Sequence, residues 1–133
     1  MIEFTDRDIK RGTVVEPAWY RVKIDSLEKA VSAKGDSTNY KYEGTIISNA
    51  DNGSDAFAGV PTPYWNFNSK AIGFMADFFK ALGQEVKAGS RFDENNAVGK
   101  ELDVFIENAP FEGRTVNRIN HKYRLPRESG VTT

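Results

Sequence analysis

The chain contains no cysteine and a single histidine, His121, in 133 residues. Without cysteine there can be no disulfide, thiolate zinc site or cysteine nucleophile, and the composition fits a reducing compartment. A lone imidazole beside Lys122 reads as a strand residue rather than a catalyst. No apolar run approaches the roughly 18 residues of a membrane span. The start Met1-Ile2-Glu3-Phe4-Thr5-Asp6 also lacks a signal peptide's apolar region. Net charge is lacking too: 18 Lys/Arg against 19 Asp/Glu leave −1, which excludes DNA binding by charge over the whole surface, because phosphates are neutralised by clustered cations. Catalytic motifs are missing. Gly99-Lys100 has neither the upstream glycine nor the following Ser/Thr of a nucleotide loop, and Asp51-Asn52-Gly53-Ser54-Asp55 lacks the spacing and terminal glutamate of a calcium loop, so it reads as a turn. Asp93-Glu94 sits in an Asn-rich loop with no sign of burial. The expectation is a soluble, cytoplasmic, single-domain binding protein, not an enzyme, with no metal or cofactor and no membrane partner.

What the chain does have is aromatic residues, nine Phe, five Tyr and two Trp, more than so small a core obviously needs. It also has a cationic hairpin. Residues 110–127 hold Arg114, Arg118, Lys122, Arg124 and Arg127 against Glu112 alone, a balance of +4, while residues 1–109 carry −4. A basic strand reached through an aromatic-tipped turn, Pro110-Phe111-Glu112-Gly113, suits a polyanion whose bases can stack, and so single-stranded nucleic acid. The competing reading is a solvated edge hairpin whose charges discourage aggregation.

Period-two alternation begins at Trp19. Tyr20, Val22 and Ile24 share one face, Trp19, Arg21 and Lys23 the other, in a long strand running towards Val31 with a bulge near Ser26. A polar turn follows, then a second strand over 39–48 in which Gly44 permits a bend. Pro61 and Pro63 confine a third strand to 64–67. Ser69 is placed to cap a helix over 70–82, where Ala71, Ile72, Met75, Phe78, Phe79 and Leu82 form an apolar stripe and Gly83 a stop. Leu102, Val104 and Ile106 make a fourth strand and residues 114–124 a fifth. Residues 1–18 read as an N-terminal arm, 19–124 as the domain and 125–133 as a loose tail. Three strands, one helix and two strands is the element order of the OB-fold, an all-β, five-stranded barrel with one helix that binds oligonucleotides on the strand 2 to 3 face and through loops here at 32–38 and 109–113.

Three pieces carry a resemblance: Trp19-Tyr20-Arg21-Val22-Lys23-Ile24, Phe79-Lys80-Ala81-Leu82-Gly83, and Val98-Gly99-Lys100-Glu101-Leu102-Asp103-Val104 with Phe111-Glu112-Gly113-Arg114-Thr115-Val116-Asn117-Arg118-Ile119. Over residues 17–124 the chain resembles small bacteriophage and prophage OB-fold single-stranded DNA-binding proteins. The resemblance implies a protein that coats DNA during phage replication or recombination, without catalysis or cofactor, with phage or host replication proteins as further partners. It departs from bacterial-type relatives at Arg127-Glu128-Ser129-Gly130-Val131-Thr132-Thr133, which has one acid where an acidic recruiting tail is common.

The stacking candidates are Trp19, Tyr42, Trp65, Phe105 and Phe111, and the phosphate candidates Arg21, Lys23, Lys41, Arg114, Arg118 and Lys122. Each has an alternative. Trp19 could pack on the N-terminal arm; Tyr42 shares its parity with Ile46; Trp65, sharing its parity with Phe67, belongs either to an inner pair or to an exposed strip. Phe105 points away from Val104 and Ile106 as a base platform or a dimer contact, and Phe111 could fold back on the domain. RNA in place of DNA, and a homo-oligomer, stay open. The alternative functions are a phage structural or assembly module that self-associates through its aromatics, and an oligosaccharide-binding domain.

Overall fold

A computed structural model describes residues 1–70, 72–89 and 91–126, and of His121 the backbone alone. Helix α1 (Asp6–Lys10) precedes strands β1 (Ala18–Val31), β2 (Thr38–Asn49) and β3 (Trp65–Asn68), helix α2 (Gly73–Ala81), a 3-10 turn (Glu94–Ala97), and strands β4 (Glu101–Phe111) and β5 (Arg114–Arg124). The strands form one antiparallel sheet in the order β3-β2-β1-β4-β5. The fold is therefore mostly β, with one short helix packed on the sheet. Ala71 and Arg127, expected in the helix stripe and the cationic segment, lie outside the described residues, as does the tail from 127 on.

Strand β1 organises the sheet. Its first half pairs with β2 on one side and β4 on the other, and its second half with β2 alone. The register shifts between Arg21 and Val22 and between Ile24 and Ser26, close to the expected bulge. Each shift adds local twist, which turns the strand from one pairing to the next. Gly44 lies at this bend because only hydrogen fits: a Cβ there would stand 2.7 Å from the Lys23 carbonyl oxygen and 2.7 Å from Val22 Cγ1.

The alternation of β1 holds: Tyr20, Val22 and Ile24 are buried with Tyr42, Ile46, Leu102, Val104 and Ile106. Phe78 of α2 seals one end of this core, its ring 5.0 Å from that of Tyr42, 5.2 Å from Phe67, 5.5 Å from Trp65 and 6.0 Å from Tyr123. The helix begins later than the apolar stripe predicts. Ile72 occupies the N-cap with no side-chain bond, because Ser69 is used elsewhere: its hydroxyl accepts from the Thr38 N–H and its own N–H donates to the Thr38 carbonyl, extending the β2–β3 ladder. Gly83, at φ +90, ends the helix as expected.

The N-terminal segment, expected as an arm, lies against the sheet. Val15 is buried in the core. Asn117 accepts from the Val15 N–H and donates to the Thr13 carbonyl, while Asn108, its cross-strand partner, donates to the Val15 carbonyl. Upstream, Thr5 and Asp8 close a capping box around α1. None of the residues of α1 is buried.

Candidate nucleic-acid interface

On the outward face of β1 and β4, Trp19 and Phe105 are ladder partners, their rings edge to face with centroids 5.8 Å apart. Lys122 Nζ of β5 stands 5.6 Å from the Phe105 ring centre and the Arg124 guanidinium 4.1 Å from that of Trp19. Both rings are half-buried, and an aromatic pair bordered by cations offers stacking area beside charge.

The cations around this pair differ in what they have left to give. Asp103 is fully buried although it faces outward, because two guanidiniums cover it: Arg21 Nε donates to its Oδ1 (3.1 Å) and Arg124 Nε to its Oδ2 (3.3 Å). Arg124 also reaches Asp51 at 2.7 Å. Arg21 and Arg124 are thus engaged with carboxylates, and Arg124 covers one face of the Trp19 ring. Lys23 is exposed two residues along β1, and Lys122 forms no ion pair among the described residues. Arg118 donates from Nε and Nη2 to Glu107 (3.2 and 2.8 Å), which holds the Glu107 carboxyl below its ordinary range. The Arg118 side chain is still 62% exposed, and a surface pair of this kind is worth at most about 1 kcal/mol, so a phosphate can compete for it.

At the far end of the same hairpin, Glu112 and Gly113 both adopt positive φ (49° and 79°), the backbone of a two-residue type I′ turn. This tight closure leaves Phe111 beyond the core, 54% exposed and opposite Arg114. The loop between β1 and β2 and the β4–β5 turn fall where the element order places them.

Two candidates are corrected. Tyr42 is fully buried and Trp65 is 2% exposed, both against Phe78, so neither can offer a face to a base. Tyr42 donates from its hydroxyl to the Glu94 carbonyl, and burial pushes the phenol's pKa up. The alternation of β2 put Tyr42 with Ile46, and α2 covers that face. Lys41 is outward but lies away from Trp19, its Nζ 3.9 Å from the ring centre of exposed Tyr64. Tyr64, Arg124 and Asp103 are not among the expected binding residues, although Arg124 belongs to the expected cationic hairpin. Tyr64 carried a signal, since it must face opposite to Trp65, whereas Asp103 meets Arg21 across 82 residues of chain and Arg124 across 21, and neither pairing left one.

Helix α1 separates the two aromatic groups. Arg7 donates to Glu43 (2.6 Å) and to the Thr45 hydroxyl and pairs with Asp25 (3.4 Å); Arg11 donates to Glu43 (2.8 Å). Glu43 is 8% exposed. Burial alone would raise its pKa, but hydrogen bonds from Arg11 and Arg7 prevail and hold it at about 2. The loop of 51–55 is a turn around Asn49, whose side-chain oxygen accepts from the Asp51 and Asn52 N–H groups. Among the described residues no group of three His, Cys, Asp or Glu could hold a metal ion, and no helix is long and apolar enough to cross a membrane.

By architecture the chain is a mostly-β, antiparallel-sheet protein with an aromatic and cationic outer face. No known protein family matches it, and no curated protein matches it.

Proposed function

We propose that this chain is a sequence-tolerant single-stranded DNA-binding protein that serves phage DNA replication or recombination in the host cytoplasm, without catalysis or cofactor. The observation that carries the reading is the Trp19–Phe105 pair, bordered by Lys122 and Arg124, followed along β1 by exposed Lys23 and along one hairpin by Arg118, Arg114 and exposed Phe111. Bases stack on the rings at about 1 to 3 kcal/mol each, and phosphates meet the cations that carboxylates leave available. An OB-type barrel supports the same reading: the strand order β3-β2-β1-β4-β5, a long bent β1 shared between β2 and β4, and a helix between β3 and β4 are its features.

The test is fluorescence anisotropy of labelled oligo-dT at low and moderate salt, with duplex of equal length as control. Salt-sensitive binding to the single strand alone is expected, and absence of binding at low salt rejects the reading. One observation favours the second reading, a structural or assembly module: Ile72 at the N-cap of α2 and Phe74 in its first turn lie exposed beside an apolar groove of about 410 Å³ lined by Met75, Phe79, Val86 and Phe92. That module would self-associate and ignore oligo-dT.

A further inference from the structure

We infer that residues 1–12 are a displaceable strap, latched across the outer face of the sheet by Glu43 and released when a nucleic-acid strand occupies that face. The inference rests on the single-strand reading above and concerns the regulation of the same site. Three observations carry it. The first is the nature of the contact. Helix α1 buries no residue, and the segment's apolar side chains Ile2, Phe4 and Ile9 are all exposed, so the segment is held by polar contacts: Arg7 and Arg11 on Glu43, Arg7 on Thr45 and Asp25, Arg11 on the Tyr64 hydroxyl, and a long Lys10 bond to the Ala58 carbonyl (3.4 Å). An ionic latch of this kind can open, since the Arg7 and Arg11 side chains are 34% and 45% exposed and water can replace the carboxylate. The second is the hinge. Gly12, at φ +95 with open space around its Cα, adjoins Thr13 and Val15, which Asn117 and Asn108 pin to the β4–β5 hairpin. Residues 1–12 can therefore swing while 13–15 stay.

The third is position. Thr45 is the ladder partner of Lys23, and Glu43 lies two residues from Lys41, so α1 stands between the Trp19, Phe105 and Lys23 group and the Lys41–Tyr64 pair. Moving it joins the two into one track. A bound strand then gains the second group, while residues 1–12 are left in solvent. If the open form is about a tenth of the population, unlatching raises apparent affinity about tenfold.

The experiment uses the full chain and oligo-dT. Glu43→Gln takes away the carboxylate that both guanidiniums share and leaves Arg7 only Thr45 and Asp25; Glu101→Gln, an exposed acid opposite Lys23, removes the same charge from the same face and leaves the latch intact. The expected result is that E43Q binds about five- to tenfold more tightly than wild type and E101Q less than about twofold. Saturating oligo-dT should also speed tryptic cleavage of wild type after Arg7 and Arg11, read by mass spectrometry. Equal gains in E43Q and E101Q, or protection of those bonds by bound oligo-dT, overturn the strap while leaving the single-strand reading in place. Absence of binding in both wild type and E43Q rejects the single-strand reading, and the strap's release by a strand with it.

Discussion

Replacing Asp103 by Asn probes the outer face most sharply, because one fully buried carboxylate there serves two guanidiniums. The amide keeps the volume and one acceptor but turns N–H groups towards Arg21 or Arg124. One charge-assisted hydrogen bond is lost, worth about 1.5 to 3 kcal/mol, and the two guanidiniums face each other without the charge between them. Breaking a fully buried pair costs about 3 to 5 kcal/mol. The Arg21 and Arg124 side chains keep 17% and 24% exposure and Arg124 keeps Asp51, so the lower end applies, and about 3 kcal/mol is expected. In urea, with a slope of about 1 to 3 kcal/mol per molar, the midpoint should fall by about 1 to 3 M with the slope unchanged. Trp19 emission should shift as Arg124 leaves its ring, while Trp65, buried against Phe78, reports only global unfolding. A loss below about 1 kcal/mol with unchanged Trp19 emission would show that Asp103 does not hold this face together.

Glu43 titrates at about 2 in the folded chain against an ordinary 4.5, a depressed value, so its contribution is fully present above pH 4.5 and is lost as the pH falls towards 2. At most about 3 kcal/mol is involved, and acid titration of E43Q should lack that part of the transition seen in wild type. Phe111→Ala should change stability by less than about 0.5 kcal/mol, since the ring is exposed, yet cost about 1 to 3 kcal/mol in oligo-dT binding by anisotropy; unchanged affinity removes Phe111 from the interface. Gly44→Ala forces a methyl against the Lys23 carbonyl and Val22, and thermal unfolding should show a loss of about 1 to 3 kcal/mol. A neutral result there would mean that β1 and β2 separate at the bend without cost.

What the sequence determined by itself was local. Alternation, with Pro61 and Pro63 bounding the third, located all five strands, with β5 at Arg114–Arg124 as expected; the bulge near Ser26, the stop at Gly83 and the hairpin tip at Phe111 followed from residues within a few positions of each other. The tertiary structure decided three further matters. It decided which side of an alternating strand is covered: Tyr42 and Trp65 went inside because Phe78, 36 and 13 residues away, packs on them, and period two separates faces without saying which one meets a helix. It decided which cations keep their charge for a ligand: Arg21 and Arg124 meet Asp103 only because β1, β4 and β5 lie side by side. It brought the N-terminal segment onto Glu43 across more than 30 residues of chain. Propensity and alternation act over one or two turns of backbone, whereas burial and ion pairing depend on neighbours that only the folded chain assembles.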